Sequence, residues 1–329
     1  MRHPLRGTLA AMLWSLALLV LGGFVAGCGA ADDALEPRES PHAALAADST
    51  AMASPAATPP LEAGRSPPPA SPTATPAADV APRPLTVVID PGHGGDDIGA
   101  ARNGLVEKHS NLDMALRAEE ALREKGYRVV LTRRGDKRAT DTASAPAGFS
   151  ANRLDLQARI DIANGESGDL FISIHSNSSS NGNERGIEVW YDPGRAHGTQ
   201  NEALAKLLLA EVGGELRRNG FEAADRGLKD DTCFRVFDAR CFPLFLLGPP
   251  RETRRDEVIR RGGDPAALGM APGQNAIYSR ASAMPGALVE LLFVSNDADN
   301  ATLQTEAARD AMARGIATAV ERYFAEVAR

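Results

Sequence analysis

The stretch Val87-Val88-Ile89-Asp90-Pro91-Gly92-His93-Gly94-Gly95 decides the fold of this chain. Three β-branched residues predict a short buried strand, and the Asp, Pro and Gly residues that follow end it abruptly. His93 therefore lies where a strand gives way to a loop, the usual place for ligands at an open α/β sheet. Ile172-Ser173-Ile174-His175 and Ala287-Leu288-Val289-Glu290 repeat the pattern, and Glu107 follows the first loop. Two imidazoles and two carboxylates, most of them at strand ends, indicate a metal site with a general base.

Length, charge and cysteine content limit the class of protein. The 329 residues carry a formal net charge of −7 without a block of like charge, so the composition does not indicate nucleic-acid binding. Only three cysteines occur, at positions 28, 233 and 241. This number excludes a disulfide-based scaffold and a zinc site built from four thiolates.

Residues 1–27 have the features of a secretory signal peptide. Arg2 and Arg6 precede an apolar run from Leu9 to Ala26. The run ends in Val25-Ala26-Gly27-Cys28, which resembles the lipobox of bacterial lipoproteins. That resemblance implies cleavage before Cys28, lipidation of Cys28 and anchoring of the chain to a membrane. An ordinary signal peptide and an uncleaved membrane helix remain alternatives, because the run approaches the roughly 18 residues that a span needs.

Residues 28–84 are predicted to be a disordered tether. The segment contains no aromatic residue and more than half of the chain's 22 prolines, among Ala, Ser and Thr. Such a composition cannot bury enough apolar surface to offset the entropy of ordering. A flexible segment of this length has a mean reach of about 40 Å, which would let an anchored protein act beside the membrane.

Residues 85–329 alternate strand and helix patterns, which predicts an α/β fold. Strands are expected at residues 87–89, 127–132, 170–174, 187–191 and 287–291, and helices around 112–122, 201–218 and 312–327. Residues 133–150 read as a polar loop. The segment 154–162 alternates like a strand, but its Leu, Gln, Ala and Arg content favours a helix. The expected architecture is a single catalytic domain with an open, mostly parallel or mixed sheet flanked by helices on both faces.

The pattern breaks down between about residues 240 and 277, where Pro249-Pro250, Gly262-Gly263 and several arginines occur. This segment is interpreted as an insertion that forms a lid or a docking surface, with a simple surface loop as the alternative. Cys233 and Cys241 bracket its start. In an oxidising compartment they could close a small disulfide loop, and two reduced thiols would fit equally well.

Two of the six histidines differ from the others in context. His93 and His175 each end a buried strand and precede small or polar residues, as metal ligands often do. His109 is more simply an exposed residue in the first turn of a helix, and His197 lies in a polar turn.

Four blocks between residues 90 and 296 resemble the signature blocks of the zinc-dependent N-acetylmuramoyl-L-alanine amidases, a family of cell-wall hydrolases of the amidase-3 type. They occur in the family's order, and the likeness runs from about Leu85 to the C terminus. The blocks are Asp90-Pro91-Gly92-His93-Gly94-Gly95, Glu107-Lys108-His109-Ser110-Asn111, Ser173-Ile174-His175-Ser176-Asn177 and Val289-Glu290-Leu291-Leu292-Phe293-Val294-Ser295-Asn296. The segments 126–133 and 159–164 also match.

The resemblance implies that His93, Glu107 and His175 bind Zn²⁺ and that Glu290 is the catalytic carboxylate. The residue types agree with this assignment. Two imidazoles and one carboxylate leave a tetrahedral zinc ion one open position for water, and a nearby free carboxylate can accept the proton of that water. Asp90 and Asn177 are predicted to orient the histidines, although Asp90 can equally cap the loop.

Two features depart from the family pattern. Leu292 stands where the family usually has glycine, which is expected to enlarge the wall behind Glu290 slightly. The insertion at about 240–277 separates Gly227-Leu228-Lys229 from the catalytic strand, to which this block usually lies much closer. If the insertion covers the zinc ion, it would keep the enzyme inactive until a partner protein moves it.

Together these features predict a lipid-tethered hydrolase of the cell envelope, exported and held at an extracytoplasmic membrane face. It would cut the amide between N-acetylmuramic acid and L-alanine in peptidoglycan, in wall turnover or cell separation. An activating protein is a further expected partner. Two alternatives stay open: a catalytically silent wall-binding or activator protein, and a metallopeptidase that acts on stem peptides.

Overall fold

The computed structural model describes residues 83–143, 149–231, 234–235, 241–242, 244, 246–247 and 252–328. The predicted signal peptide, Cys28, nearly all of the predicted tether and Cys233 lie outside these residues. No helix in the described ranges combines the length and the apolar character that a bilayer span requires.

The chain alternates strands and helices, as its sequence predicts. In chain order the strands are β1 (Thr86–Pro91), β2 (Ala101–Arg102), β3 (Leu105–Val106), β4 (Arg128–Leu131), β5 (Leu170–Asn177), β6 (Ile187–Tyr191), β7 (Asp225–Asp230), β8 (Phe234–Arg235), β9 (Cys241–Phe242), β10 (Glu252–Arg254), β11 (Ala276–Tyr278) and β12 (Gly286–Phe293). The helices are α1 (Glu107–Glu124), α2 (Phe149–Gly165), α3 (Gly198–Arg218), α4 (Arg255–Arg260), α5 (Asp297–Leu303) and α6 (Glu306–Glu326).

The main sheet is mixed, with the strand order β4-β1-β5-β12-β6-β7. β4, β1, β5 and β12 run parallel to one another, whereas β6 pairs antiparallel with β12 and β7 runs parallel to β6. The predicted mixed α/β sheet is therefore confirmed, with β5 inside the sheet and β6 next to the edge. The edge strand β7 was not predicted, because its sequence, Asp225-Arg226-Gly227-Leu228-Lys229-Asp230, shows almost no apolar alternation.

The two faces of the sheet carry different layers. Ile89, Ile172 and Val289 face a large core that α1, α3 and α6 cover, and we call this side the three-helix face. Because side chains alternate along a strand, Val88, Phe171 and Leu288 point to the opposite side. There they pack with Ile160 and Ala163 of α2 in a smaller core, so we call this side the α2 face.

Helix α2 settles the ambiguous segment 154–162 in favour of a helix and begins at Phe149, inside the range expected to be a loop. The helical period places Ile160 and Ala163 together against the α2 face. It also places Asp155 one turn before Arg159, and the Arg159 Nε donates a hydrogen bond of 2.9 Å to Asp155 Oδ2. Both side chains of this ion pair are buried.

Part of the predicted insertion belongs to the hydrophobic core. Leu246 and Leu247 are buried and pack in the same cluster as Phe171 and Leu288 on the α2 face. Further along, β10 and β11 pair antiparallel around α4, which buries Val258. The described part of the segment therefore contains more structure than a surface loop, and its inhibitory role stays a prediction.

Candidate metal centre

His93, Glu107 and His175 converge at the ends of β1 and β5. His93 follows β1, Glu107 is the first residue of α1, and His175 lies near the end of β5. The Glu107 Oε1 atom is 3.1 Å from His93 Nε2 and 3.2 Å from His175 Nδ1. One donor atom from each residue lies within 4.8 Å of the other two. Within the described residues this is the group of histidine, cysteine and carboxylate side chains that could hold a metal ion.

The donor set and its spacing fit zinc. Ligand atoms at about 2.0–2.2 Å from a tetrahedral zinc ion lie roughly 3.3–3.6 Å apart, close to the separations between Glu107 and each imidazole. Two nitrogens and one carboxylate oxygen are a common catalytic zinc set, which leaves one coordination position open. The donor types and the two Glu107 separations therefore fit a zinc ion, and all three donor atoms lie within 4.8 Å of one another.

Several hydrogen bonds fix Glu107. The backbone N–H of Ala100 donates to Oε2 at 2.8 Å, and Oε1 accepts weaker bonds from Asn111 Nδ2 and the Ser176 N–H, both at 3.3 Å. Burial favours the neutral form of Glu107, but His93 and His175 outweigh it and hold its pKa well below the usual range. Glu107 is thus an ionised carboxylate in a fixed position.

Asp97 orients the His93 ring. Its Oδ1 lies 2.9 Å from His93 Nδ1, which leaves Nε2 directed toward Glu107. Burial lowers the pKa of His93, but the carboxylates of Glu107 and Asp97 outweigh this effect and raise it to about 10. A carboxylate on the second ring nitrogen is the usual partner of a metal-binding histidine. The sequence pattern does not distinguish Asp97 from the other polar residues of this loop.

Two glycines are required because other groups approach them closely. A Cβ atom on Gly92 would lie 2.2 Å from Cε1 and Nε2 of the His175 ring. A Cβ atom on Gly99, which has φ +66°, would lie 2.5 Å from Glu107 Oε2. The glycines around His93 therefore make room for the other two predicted ligands.

The side chains predicted to orient the histidines have other partners. Asp90 accepts hydrogen bonds from Thr132, Ser173 and Arg159, and Arg159 Nη2 donates to the His93 carbonyl oxygen at 2.7 Å. Asp90 thus reaches the loop through Arg159 and does not hydrogen-bond to an imidazole.

Asn177 Nδ2 donates to Glu188 Oε1 at 2.7 Å. Asp90 and Asn177 therefore do not hydrogen-bond to the imidazoles, although the sequence predicted that they would orient them. The ring nitrogens face Asp97 and Glu107 instead.

Glu290 lies on the strand next to His175. The parallel register of β5 and β12 pairs Glu290 with His175, so the two side chains share the α2 face. Glu290 is 8% exposed, and its Oε2 has no hydrogen-bond partner among the described residues. Burial raises the pKa of Glu290 well above its usual range, and Glu107 and Glu188 raise it further against a lowering effect of His93. The raised pKa favours the protonated, neutral form of this buried side chain.

Leu292 has an unusual backbone conformation just after Glu290. Its φ is 66°, in the left-handed region that favours glycine, and the register of β12 with β5 shifts between Glu290 and Phe293. This bulge explains why glycine suits the position. Leu292 itself is fully buried, so its side chain fills space in the core at the cost of backbone strain of about 1 kcal/mol.

A polar row continues from Glu290 toward the edge of the sheet. Glu188 on β6 pairs in register with Glu290 and is buried. Its Oε1 accepts hydrogen bonds from Asn177 and Trp190, and its Oε2 accepts one from Arg226 Nε at 2.8 Å. This row of polar side chains was not predicted from the sequence. The alternation of Ile187, Val189 and Tyr191 with Glu188 was the available signal, since it places Glu188 on the side opposite the large core.

The remaining described histidines lie apart from this group, as predicted. His109 is exposed and lies 3.2 Å from Asp136 Oδ2, and His197 Nδ1 lies 3.1 Å from Gln200 Oε1.

Comparisons with known proteins agree with this architecture. A family model described as N-acetylmuramoyl-L-alanine amidase matches residues 87–322. The chain is 30% identical over 242 residues to the germination-specific N-acetylmuramoyl-L-alanine amidase of Bacillus subtilis, covering 73% of this chain and 80% of the relative. It is 28% identical over 239 residues to the amidase LytC of the same organism, and spans 35% of that relative's length. The crystal structure of an N-acetylmuramoyl-L-alanine amidase from Clostridium difficile 630 superimposes with a TM-score of 0.52 at 25% identity, covering 74% of this chain and 98% of that chain.

Proposed function

Because the chain belongs to the N-acetylmuramoyl-L-alanine amidase family, we propose that it hydrolyses the amide between N-acetylmuramic acid and the first L-alanine of the peptidoglycan stem peptide. In this proposal His93, Glu107 and His175 hold a zinc ion and Glu290 is the catalytic acid and base. One observation carries it: three candidate ligand atoms meet within 4.8 Å, and Glu290 stands on the adjacent strand in register with His175. Glu290 is buried, and its Oε2 has no hydrogen-bond partner in the described part of the chain.

The bound zinc ion would polarise the amide carbonyl and lower the pKa of a water molecule at the open position. The protein side chains supply the remaining chemistry. Glu290 accepts a proton from the attacking water as the water oxygen bonds to the carbonyl carbon. When the C–N bond breaks, Glu290 returns that proton to the amine of L-alanine. The carbonyl carbon leaves as the carboxylic acid of the lactyl group, and the stem peptide leaves with a free amino terminus.

The burial of Glu290 supports this role. A catalytic group works best when its pKa lies near the working pH, and burial moves a carboxylate upward toward that range. Asp97, Asn111 and Arg159 have positioning roles, because they hold the imidazole, the Glu107 carboxylate and the His93 backbone.

Location in the cell envelope is part of the same proposal. Peptidoglycan lies outside the cytoplasmic membrane, so the enzyme must be exported, and a lipid anchor at Cys28 with a tether over residues 28–84 would keep it beside the wall. We expect the Cys28→Ala variant to leave the membrane fraction of fractionated cells, and its retention there would contradict the anchor. Roles in wall turnover or cell separation and the need for an activating protein remain predictions.

The test compares wild type with Glu290→Gln, which keeps the size of the side chain and removes its acid–base function. Both proteins are analysed for bound zinc and incubated with purified peptidoglycan, and released fragments are identified by mass spectrometry. Wild type should release stem peptides that begin with free L-alanine, and the variant should keep zinc and lose activity by about 10²-fold or more. Fragments cut within the stem peptide would support a metallopeptidase. Zinc binding without any cleavage by wild type would favour a silent wall-binding protein.

A further inference from the structure

Two cationic side chains on β7 extend the row that begins at His175 and Glu290. Arg226 and Lys229 both reach Glu188 on β6, with Arg226 Nε at 2.8 Å and Lys229 Nζ at 4.0 Å from its Oε2. Glu188 is in register with Glu290, and Glu290 is in register with His175. Along the α2 face the order is therefore metal ligand, free carboxylate, buried carboxylate and two cations.

The two cations differ in how firmly they are held. Arg226 is fixed by Glu188, by Glu184 at 3.5 Å and by the ring of Phe293, whose centroid lies 4.7 Å from the guanidinium carbon. Both carboxylate oxygens of Glu188 already accept hydrogen bonds. Oε1 accepts from Asn177 and Trp190, and Oε2 accepts from Arg226. Lys229 lies beyond hydrogen-bond distance of Glu188 and is about one-third exposed. Among the described residues Glu188 is its nearest ionic partner, and at this distance the ammonium group keeps its hydrogen-bond donors available for a ligand.

The order of the row sets the direction in which a substrate lies. The carbonyl of the scissile amide must face the three metal ligands, which lie on the β1 and β5 side. The amine that leaves must face Glu290, which protonates it, and Glu290 lies on the β12 side. The peptide attached to that amine therefore continues past Glu290 toward β6 and β7, where Arg226 and Lys229 lie.

The distances suit the second residue of a stem peptide. Neighbouring strands are about 4.8 Å apart, so the backbone of Glu188 lies roughly 5 Å from that of Glu290, and the two cations of β7 reach back to the Glu188 side chain. Two extended residues span about 7 Å. A carboxylate on the second residue after the scissile bond would therefore reach the neighbourhood of the two cations. In peptidoglycan this residue is a glutamate linked through its side chain, whose α-carboxyl group is free in some walls and amidated in others.

We propose that Lys229, supported by Arg226, binds the free α-carboxylate of the second stem-peptide residue and so makes the enzyme prefer non-amidated peptidoglycan. This inference rests on the proposed amidase function and adds a substrate preference to it. Lys229 is the specificity-determining contact, because Arg226 already neutralises Glu188.

The experiment uses the full chain and two polymeric peptidoglycans, one with a free carboxyl and one with an amide at the second residue. Initial rates of stem-peptide release are measured well below saturation for wild type, Lys229→Met and Lys229→Arg. On the free carboxyl form, Lys229→Met should be about fivefold slower than wild type, and Lys229→Arg should stay near the wild-type rate. On the amidated form both variants should match wild type within about twofold, because no carboxylate is present to lose a partner.

Lys206→Met is the matched control, because Lys206 is an exposed lysine of α3 that pairs with Glu202 at 2.6 Å on the other side of the sheet. It should behave as wild type on both substrates. A Lys229→Met variant slowed equally on both substrates would overturn the inference, because a structural role would not depend on the substrate's charge. Equal rates for all variants would overturn it as well, and both outcomes leave the amidase function intact. If wild type releases no stem peptide from either wall, the proposed function fails and the substrate preference fails with it.

Discussion

Replacing Gly92 by alanine should disrupt metal binding without touching a ligand. The added Cβ would lie 2.2 Å from Cε1 and Nε2 of the His175 ring and 2.6 Å from Cδ2. Ordinary carbon contacts begin at about 3.5 Å, so the ring must move by roughly 1 Å or more. Gly92 has no positive φ, which means that the effect comes from this collision and not from backbone strain.

The displaced ring loses its alignment with Glu107, which now lies 3.2 Å from His175 Nδ1. We expect zinc affinity to fall about 10- to 100-fold, as it does when support of a metal ligand is lost. The free energy of unfolding of the metal-free protein should fall by about 1–3 kcal/mol, because the contact is overpacked. Zinc affinity is measured by competition with a chromogenic chelator, and stability by denaturant unfolding in the presence of a chelator.

Gly135→Ala is the matched control, because a Cβ there meets no atom within 4 Å and its φ is not positive. This variant should bind zinc as wild type does. If Gly92→Ala binds zinc as tightly as Gly135→Ala, the close approach of His175 to the glycine loop does not position the ligand, and the reasoning is wrong.

Two further predictions follow from the burial and charge of particular side chains. The pKa of His93 is raised to about 10, so His93 must lose its proton before it can bind zinc. Zinc affinity should therefore rise by up to about tenfold per pH unit between pH 6 and 9. Chelator competition at several pH values measures this rise, and a flat profile would contradict it. In the metal-free protein the sign is opposite, since the raised pKa of His93 stabilises the fold below about pH 6.5 and this contribution is lost as pH approaches 10. Leu247→Ala should lower the free energy of unfolding by about 2–4 kcal/mol, because Leu247 is fully buried on the α2 face. Its zinc affinity should stay unchanged. An unchanged midpoint in denaturant unfolding would show that the insertion does not contribute to the core.

Much of the fold could be predicted because its central strands are short apolar runs with clear ends. Val87–Ile89, Leu170–Ile174 and Ala287–Leu291 are buried on both sides and lie next to one another in the sheet. The edge strand β7 could not be predicted. Its polar residues pair with β6 through the backbone, and this pairing leaves little trace in the sequence.

The positions around the metal centre show the same difference. His93, His175 and Glu290 stand out because each ends an apolar strand, and the family resemblance gave them and Glu107 their roles. Asp97 is one of several polar residues in a loop, and the turn closed by backbone hydrogen bonds between Gly94 and Asp97 places its carboxylate beside the His93 ring. The sequence shows that Leu292 stands where the family usually has glycine. The reason that glycine suits this position is the bulge in β12, which gives the residue a positive φ and is not visible in the sequence.

The sequence by itself determined the alternation of strands and helices, the strand ends at which polar side chains appear and the family to which those blocks belong. These are local properties, since burial patterns and turn residues act over a few neighbouring positions. Only the tertiary structure decided which side chains meet: that Asp97 holds the His93 ring, that Gly92 accommodates His175, and that Glu188, Arg226 and Lys229 continue the row from Glu290. Apart from the Asp97–His93 contact, which lies within one loop, these contacts depend on strand order and register, which bring together residues up to roughly one hundred positions apart in the chain.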